Sequence, residues 1–210
     1  MTGIILAGGQ GQRMNAPLPK QYLLLKKKPI ACHSLEIFLN HPEMHQIIVV
    51  CAPEYRTLFS EYHVEFADPG ERRQDSLFNG LKLAKYNWIC THDAARPYLT
   101  HKLIDRLIQE GKNHSAVTLG IPIKNTIKEC DSTGFVLRTL NRESIWEIQT
   151  PQLVKKHILI KGFAFADRHN ITVSDDVSLA ELIDHPVKLV LGSQKNIKIT
   201  TPEDLCFKIK

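Results

Sequence analysis

The 210-residue chain is 43% apolar and 23% charged, enough for a sizeable packed core and too evenly mixed for a disordered or fibrous protein. Its net charge of +5 is spread without a polybasic tail, and the longest basic run, Lys26 to Lys28, reads as a solvated turn. That excess suits anionic small molecules at least as well as nucleic acid, and no nucleic-acid partner is expected.

The five cysteines are scattered with no C-x-x-C pair, which points to reduced thiols and a cytoplasmic setting. The first apolar run is about five residues long without a basic flank, so no signal peptide is expected. No stretch approaches the roughly 18 apolar residues of a membrane span, so no membrane partner is expected either.

In chain order, GIILA (Gly3 to Ala7) predicts a short buried strand. IACHSLEIFLNH has helical spacing and ends near His41–Pro42. QIIVVC predicts a strand, EYRTLFSEY a helix and HVEFA a strand. RQDSLFNGLKLA is helical and leads into WICTHDAARP, a strand that stops in a turn. HKLIDRLIQEGK is a strongly amphipathic helix with Gly111 near its end, and SAVTLGIPI follows as a strand. This alternation predicts an α/β sheet of parallel strands with its sites at the strand C-terminal ends.

The alternation lapses at about 124–151. Two β-prone runs flank DSTG (Asp131 to Gly134), which predicts a hairpin serving as an arm that grips a neighbouring subunit. Helical pattern returns at KKHILIKGFAFADRH and SDDVSLAELIDH. The chain then runs through VKLVLG and NIKIT, read as strands, to a proline-started helix, PEDLCFKI.

The segment after the first strand carries the chemistry. Gly8, Gly9 and Gly11 let amide N–H groups approach an anion with no Cβ in the way. The dinucleotide fingerprint fails because Met14 stands where its last glycine belongs, which also removes the oxidoreductase reading. The Walker pattern lacks its Lys-Ser/Thr pair. Alone, the turn serves equally well as a purely structural one. Arg13 just past the glycines, and Lys20 after Pro17 and Pro19, add two cations at a distance that suits a triphosphate.

Taken together, LAGGQGQRM…PKQY, GERRQDSLFNGL, HDAARP, NTIK, NR…W…TPQ, SDD and NIKITTPEDL resemble, in that order and spacing, the 2-C-methyl-D-erythritol 4-phosphate cytidylyltransferase family. The likeness covers nearly the whole chain, so residues 1–210 are expected to form one nucleotidyltransferase domain. The fold it implies is a three-layer, Rossmann-like, mostly parallel sheet with a protruding β-hairpin arm. The function it implies is transfer of a cytidylyl group from CTP to the polyol phosphate, with Mg²⁺ as the divalent cofactor. Homodimerisation through the arm goes with it. A ribitol 5-phosphate cytidylyltransferase and a non-catalytic nucleotide-binding regulator are the alternatives.

The resemblance also distributes roles over positions that composition alone leaves ambiguous. Arg13, Lys20 and Lys198 are expected on the phosphates. Ala7, Gly8, Gly9, Gly11, Gly70, Ser76, Asp93 and Ala94 are expected around the nucleotide, with Asp93 as the Mg²⁺ ligand. Arg96, Thr126, Arg142, Thr150 and Asp175 are expected on the acceptor, Thr126 and Arg142 reaching it in the partner subunit's site. Without that context, Asp93 is equally a capping aspartate, Ser76 a helix-start residue and Lys198 a surface strand lysine flanked by core-facing Ile197 and Ile199. Glu71 and Ser174 stand where relatives often carry aspartate and threonine. His41 and His45 are spaced like zinc ligands, but Pro42 occupies the glutamate position of H-E-x-x-H and would break the helix that motif requires.

Overall fold

A computed structural model describes residues 1–10, 14 and 18–206; Gly11 and Arg13 lie outside them. β1 (Thr2–Leu6) is followed by a small hairpin, β2 (Leu24–Leu25) and β3 (Lys28–Pro29). Then come α1 (Ile30–Leu39), β4 (Gln46–Val50), β5 (Glu65–Ala67), α2 (Arg73–Leu83), β6 (Trp88–Asp93), α3 (His101–Gly111) and β7 (Ala116–Pro122). The arm is β8 (Lys128–Cys130) with β9 (Val136–Thr139), and the chain returns through β10 (Trp146–Lys155), α4 (Lys156–Arg168), α5 (Ser178–Glu181) and β11 (Lys188–Leu191).

Seven strands form one sheet in the order β11-β7-β10-β6-β1-β4-β5. Every pairing is parallel except those of β10, which runs antiparallel to both β6 and β7. The central strands are apolar on both faces because helices cover both. Ile5, Val49, Cys90 and Val117 pack with Leu35 and Phe38 of α1 and Ile104 and Leu107 of α3. Their alternating neighbours, Ile4, Ile48, Val50 and Ile89, pack with Leu77 and Leu81 of α2 and Leu159 of α4. Period-two alternation in the strands therefore divides the core into two halves, and the three layers follow.

The arm closes as expected. Asp131 Oδ1 accepts from Thr133 N at 2.9 Å and Phe135 N at 3.0 Å, and Gly134 takes φ +91°, a left-handed value natural to glycine. It is shorter than the 124–151 excursion, because from Trp146 onward the chain pairs with β7 inside the main sheet.

Three other expectations are corrected. Residues 53–59 form a 3-10 helix, in which Phe59 is the one buried residue, so a single anchor suffices on this short link. The helix expected over SDDVSLAELIDH shrinks to α5. NIKIT is not a strand: Ile199 N donates to Ala95 O at 2.8 Å, but β6 has ended at Asp93 and offers it no longer edge to pair with. The two histidines face different partners, His41 Nε2 lying 3.2 Å from Asp105 Oδ1 and His45 Nδ1 2.8 Å from the N-terminal amine.

Candidate active site

At the C-terminal ends of β1 and β6 two cavities meet. One, of about 560 Å³, is lined by Gly8, Gly9, Lys20, Gly70 and Ser76 among others; the second, of about 500 Å³, by Arg96, Thr150, Gln152, Ser174 and Asp175. Arg73, Asp93 and Lys198 line both and form the shared wall.

The first cavity is built from two close-packed loops. Gly8 lies against Pro69, where an added Cβ would come 2.4 Å from the proline Cβ, and a Cβ on Gly70 would come 2.3 Å from Asp75 Cβ. These two glycines are required by proximity. Gly9 has open space around it. Gly70 N donates to Ser76 Oγ at 3.0 Å, so the buried serine ties the loop to the first turn of α2. Asp75 closes the same turn by accepting from Arg72 N at 3.0 Å. Glu71 is exposed on this loop and also lines the cavity.

Asp93 ends β6 in a buried position, paired on both oxygens. Oδ1 accepts from Arg73 Nε at 3.1 Å and Nη2 at 3.0 Å; Oδ2 accepts from Lys198 Nζ at 2.7 Å. Burial opposes its ionisation, yet the Arg73 and Lys198 cations hold its carboxyl well below the usual carboxylate range. Arg73 also pairs through Nη1 with Asp176, which is 1% exposed.

In the second cavity Arg96 is 6% exposed, and among the described residues it forms no ion pair. Its Nη1 donates to Asn196 O at 2.8 Å and its Nη2 to Ile148 O at 3.3 Å, while Nε is buried without a partner. A buried guanidinium held by carbonyls at a cavity wall is a ready anion site. Thr150 Oγ accepts from Asp93 N at 3.1 Å and lies 3.0 Å from His92 Nδ1, while His92 Nε2 faces Arg96 O at 3.0 Å. The carbonyl requires a proton on Nε2, so Nδ1 accepts the threonine hydroxyl. Burial pushes His92 down to about 4, which keeps it neutral in this role.

The sequence-derived residues thus divide. Gly8, Gly9, Lys20, Gly70, Ser76, Asp93, Arg96, Thr150, Asp175 and Lys198 line the two cavities. Ala7 and Ala94 do not: Ala7 N donates to Val50 O and Ala94 N to Leu6 O. Asp175 is held by Gln152 Nε2 at 2.8 Å and Ser178 N at 3.1 Å. Thr126 and Arg142 are exposed on the arm side and line neither cavity; Arg142 Nη1 donates to Lys124 O at 2.7 Å.

Arg73, Gln152 and Asp176 are polar residues at the centre that the motifs alone did not single out. A signal existed for Arg73, which precedes buried Leu77 and Leu81 at intervals of four and therefore shares their inward stripe.

Among the carboxylates that line these cavities, Asp93 is the one common to both. No group of three or more His, Cys, Asp or Glu side chains suited to a metal occurs among the described residues. Asp93 alone is an ionised hard-oxygen ligand facing both cavities, which fits the Mg²⁺ habit of taking one carboxylate and completing its shell with phosphate oxygens and water.

A family model for 2-C-methyl-D-erythritol 4-phosphate cytidylyltransferase matches residues 1–208. The chain is similar to the Chlamydia pneumoniae protein of that name, 44% identical over 96% of this chain and 94% of that one. It is also similar to the chloroplastic protein of that name from Oryza sativa subsp. japonica, 43% identical over 96% and 71%. Among solved structures, the Francisella tularensis 2-C-methyl-D-erythritol 4-phosphate cytidylyltransferase superposes with a TM-score of 0.84 at 32% identity, covering 97% of this chain and 96% of that one.

Proposed function

The chain belongs to the 2-C-methyl-D-erythritol 4-phosphate cytidylyltransferase family and is a nucleotidyltransferase that uses CTP; from that premise we propose how its own residues divide the work. CTP occupies the glycine-loop cavity and the polyol phosphate the neighbouring one, so the reacting phosphates meet at Arg73, Asp93 and Lys198. That shared wall is the observation that carries the reading. A phosphate oxygen of 2-C-methyl-D-erythritol 4-phosphate attacks the α-phosphorus of CTP, the bond to the β-phosphate oxygen breaks, and pyrophosphate leaves. The attacking group is already an anion, so no side chain has to remove a proton from it. Catalysis is positioning and charge neutralisation.

Lys20 and Lys198, with Arg13 from outside the described residues, neutralise the growing charge on the transferred phosphate and its leaving group. Arg73 holds Asp93 in place, and Arg96 receives the acceptor's phosphate. Asp93 would hold Mg²⁺, which when bound supplies charge for the phosphate oxygens. Gly70 and Ser76 fix the loop against the base, and Asp175 and Thr150 shape the acceptor side.

The arm carries Phe135, 73% exposed, and Leu137, 63% exposed. Apolar side chains displayed on a protruding hairpin support a homodimer in which Thr126 and Arg142 complete the partner's acceptor site. Its five free cysteines support a reducing, cytoplasmic setting, and no helix among the described residues is long and apolar enough to cross a membrane.

The reaction is tested by measuring pyrophosphate release with Mg²⁺, each of the four nucleoside triphosphates and either polyol phosphate. Release is expected with CTP and 2-C-methyl-D-erythritol 4-phosphate. Turnover confined to ribitol 5-phosphate would reject the acceptor, and turnover without CTP would reject the nucleotide.

A further inference from the structure

Gln21 follows Lys20 in the PKQY segment and has no part in the chemistry above. Its side chain is nonetheless 3% exposed, and its amide nitrogen is fully used: Nε2 donates to Ala7 O at 2.6 Å and to Gly9 O at 2.7 Å. Both hydrogens of one amide thus hold two carbonyls of the glycine loop. The next residue reinforces the first contact, since Tyr22 Oη also donates to Ala7 O, at 2.7 Å, with its ring stacked on Tyr55 at 4.1 Å.

Two consequences follow from peptide geometry. In a planar trans peptide the C=O of one residue and the N–H of the next point in opposite directions. With Ala7 O and Gly9 O turned to Gln21, the N–H groups of Gly8 and Gln10 are turned away from it. Within the described residues neither N–H has a hydrogen-bond partner. Gly8, Gly9 and Gln10 all line the glycine-loop cavity.

The second consequence concerns spacing. Gln21 belongs to the same 3-10 turn (Lys20–Tyr22) as Lys20, which lines that cavity. Three bonds from this turn to the loop, two from Gln21 and one from Tyr22, therefore fix the loop's amides and the Lys20 cation in one frame. We infer that Gln21 is a positioning residue for the nucleotide: it aims the glycine-loop amides and sets their distance from Lys20, without touching the reacting atoms. The inference rests on the nucleotide reading of this cavity.

The test compares the wild type with Gln21→Met, which keeps the length and loses both donors, with Gln21→Asn, one methylene too short to reach both carbonyls, and with Tyr22→Phe. CTP affinity is read by titration calorimetry without acceptor, alongside KM for each substrate and the thermal midpoint. Gln21→Met is expected to weaken CTP about tenfold or more, the value of one to two net hydrogen bonds, and to leave the acceptor KM within about twofold. Tyr22→Phe should shift CTP affinity in the same direction by a smaller factor. Where Gln21→Met folds poorly, Gln21→Asn carries the same comparison.

Wild-type CTP affinity in the folded variants, an equal rise in both KM values, or a lowered midpoint with unchanged affinity would each overturn the inference. A wild type that binds CTP without releasing pyrophosphate would remove the proposed reaction and leave this comparison intact.

Discussion

Two N–H groups of Arg73, Nε and Nη2, converge on one oxygen of Asp93, leaving the other oxygen to Lys198. The remaining terminal nitrogen reaches Asp176, so one guanidinium sits between two carboxylates. Removing it leaves Asp176 without a cation and Asp93 with Lys198 alone, both in a poorly solvated site. Arg73→Ala should therefore cost about 3–5 kcal/mol of stability as well as most activity. Arg73→Lys should recover part of the stability and little of the activity, because one ammonium cannot keep the two-point grip on Oδ1. Urea denaturation of both variants, with parallel kinetics, checks this.

Lys198 makes the opposite case. Its side chain is 37% exposed, so its pair with Asp93 is worth about 1 kcal/mol or less to the fold. Lys198→Ala and Lys20→Ala should each lower turnover about 10²–10³-fold with unfolding midpoints close to the wild type. Near-normal turnover in either variant would remove that lysine from the phosphate-binding set.

The glycine loop separates packing from ligand access. Gly8→Ala drives a methyl into Pro69 and should destabilise the protein, whereas Gly9→Ala meets nothing within 4 Å and should melt like the wild type. If Gly9 faces bound CTP, its alanine variant will still show weakened CTP binding. Thermal melting with and without CTP distinguishes the two positions.

Shared sites can be counted by mixing. If Arg142 completes the partner's site, Arg142→Ala and Lys20→Ala are each strongly impaired alone. Hybrids assembled from both should regain activity, because one of their two sites has both residues intact. No recovery after co-refolding would place Arg142 in its own subunit's chemistry or outside it.

Alkaline pH should weaken the fold through its buried thiols. Burial raises Cys32 and Cys90 and pushes Cys51 up to about 11. An acid whose pKa is higher folded than unfolded favours the native state fully below the unfolded value and loses that contribution as pH climbs toward the folded one. Stability should thus fall above about pH 9, by roughly 1.4 kcal/mol per unit for each fully buried thiol that titrates only on unfolding. Denaturation midpoints between pH 8 and 10.5 test the sign, and a flatter slope in Cys51→Ala assigns it. In native protein the exposed Cys130 and Cys206 should react first with an alkylating reagent.

Much of this site was readable because strand and turn signals are local. The break in apolar period after Leu6 and after Asp93 locates two strand ends, and ligands gather at such ends in α/β sheets. Arg73 illustrates what was harder. Arg72 and Arg73 are neighbours of the same chemistry, and only the phase of α2 decides that Arg73 turns inward while Arg72 stays at the exposed cap. Asp175 and Asp176 divide in the same way, one at the cavity and one buried against Arg73. Gln152 gives no local signal, because its partners come from two distant stretches of chain, Thr118 in one and Asp175 with the backbone of Asp176 and Val177 in the other. The shortened α5 and the irregular stretch around Lys198 reflect tertiary anchoring that propensity does not contain.

The single reversed strand has an engineering meaning. In a sheet of parallel strands every connection must travel back over a face, usually through a helix. β10 enters from the ligand end, so the excursion between β7 and β10 leaves and rejoins the sheet on the same side without a crossover. Its tip, Asp131 to Gly134, is consequently a place where a foreign loop or reporter can be grafted without rethreading the fold. The splice would sit at the far end of the segment proposed to meet a second subunit.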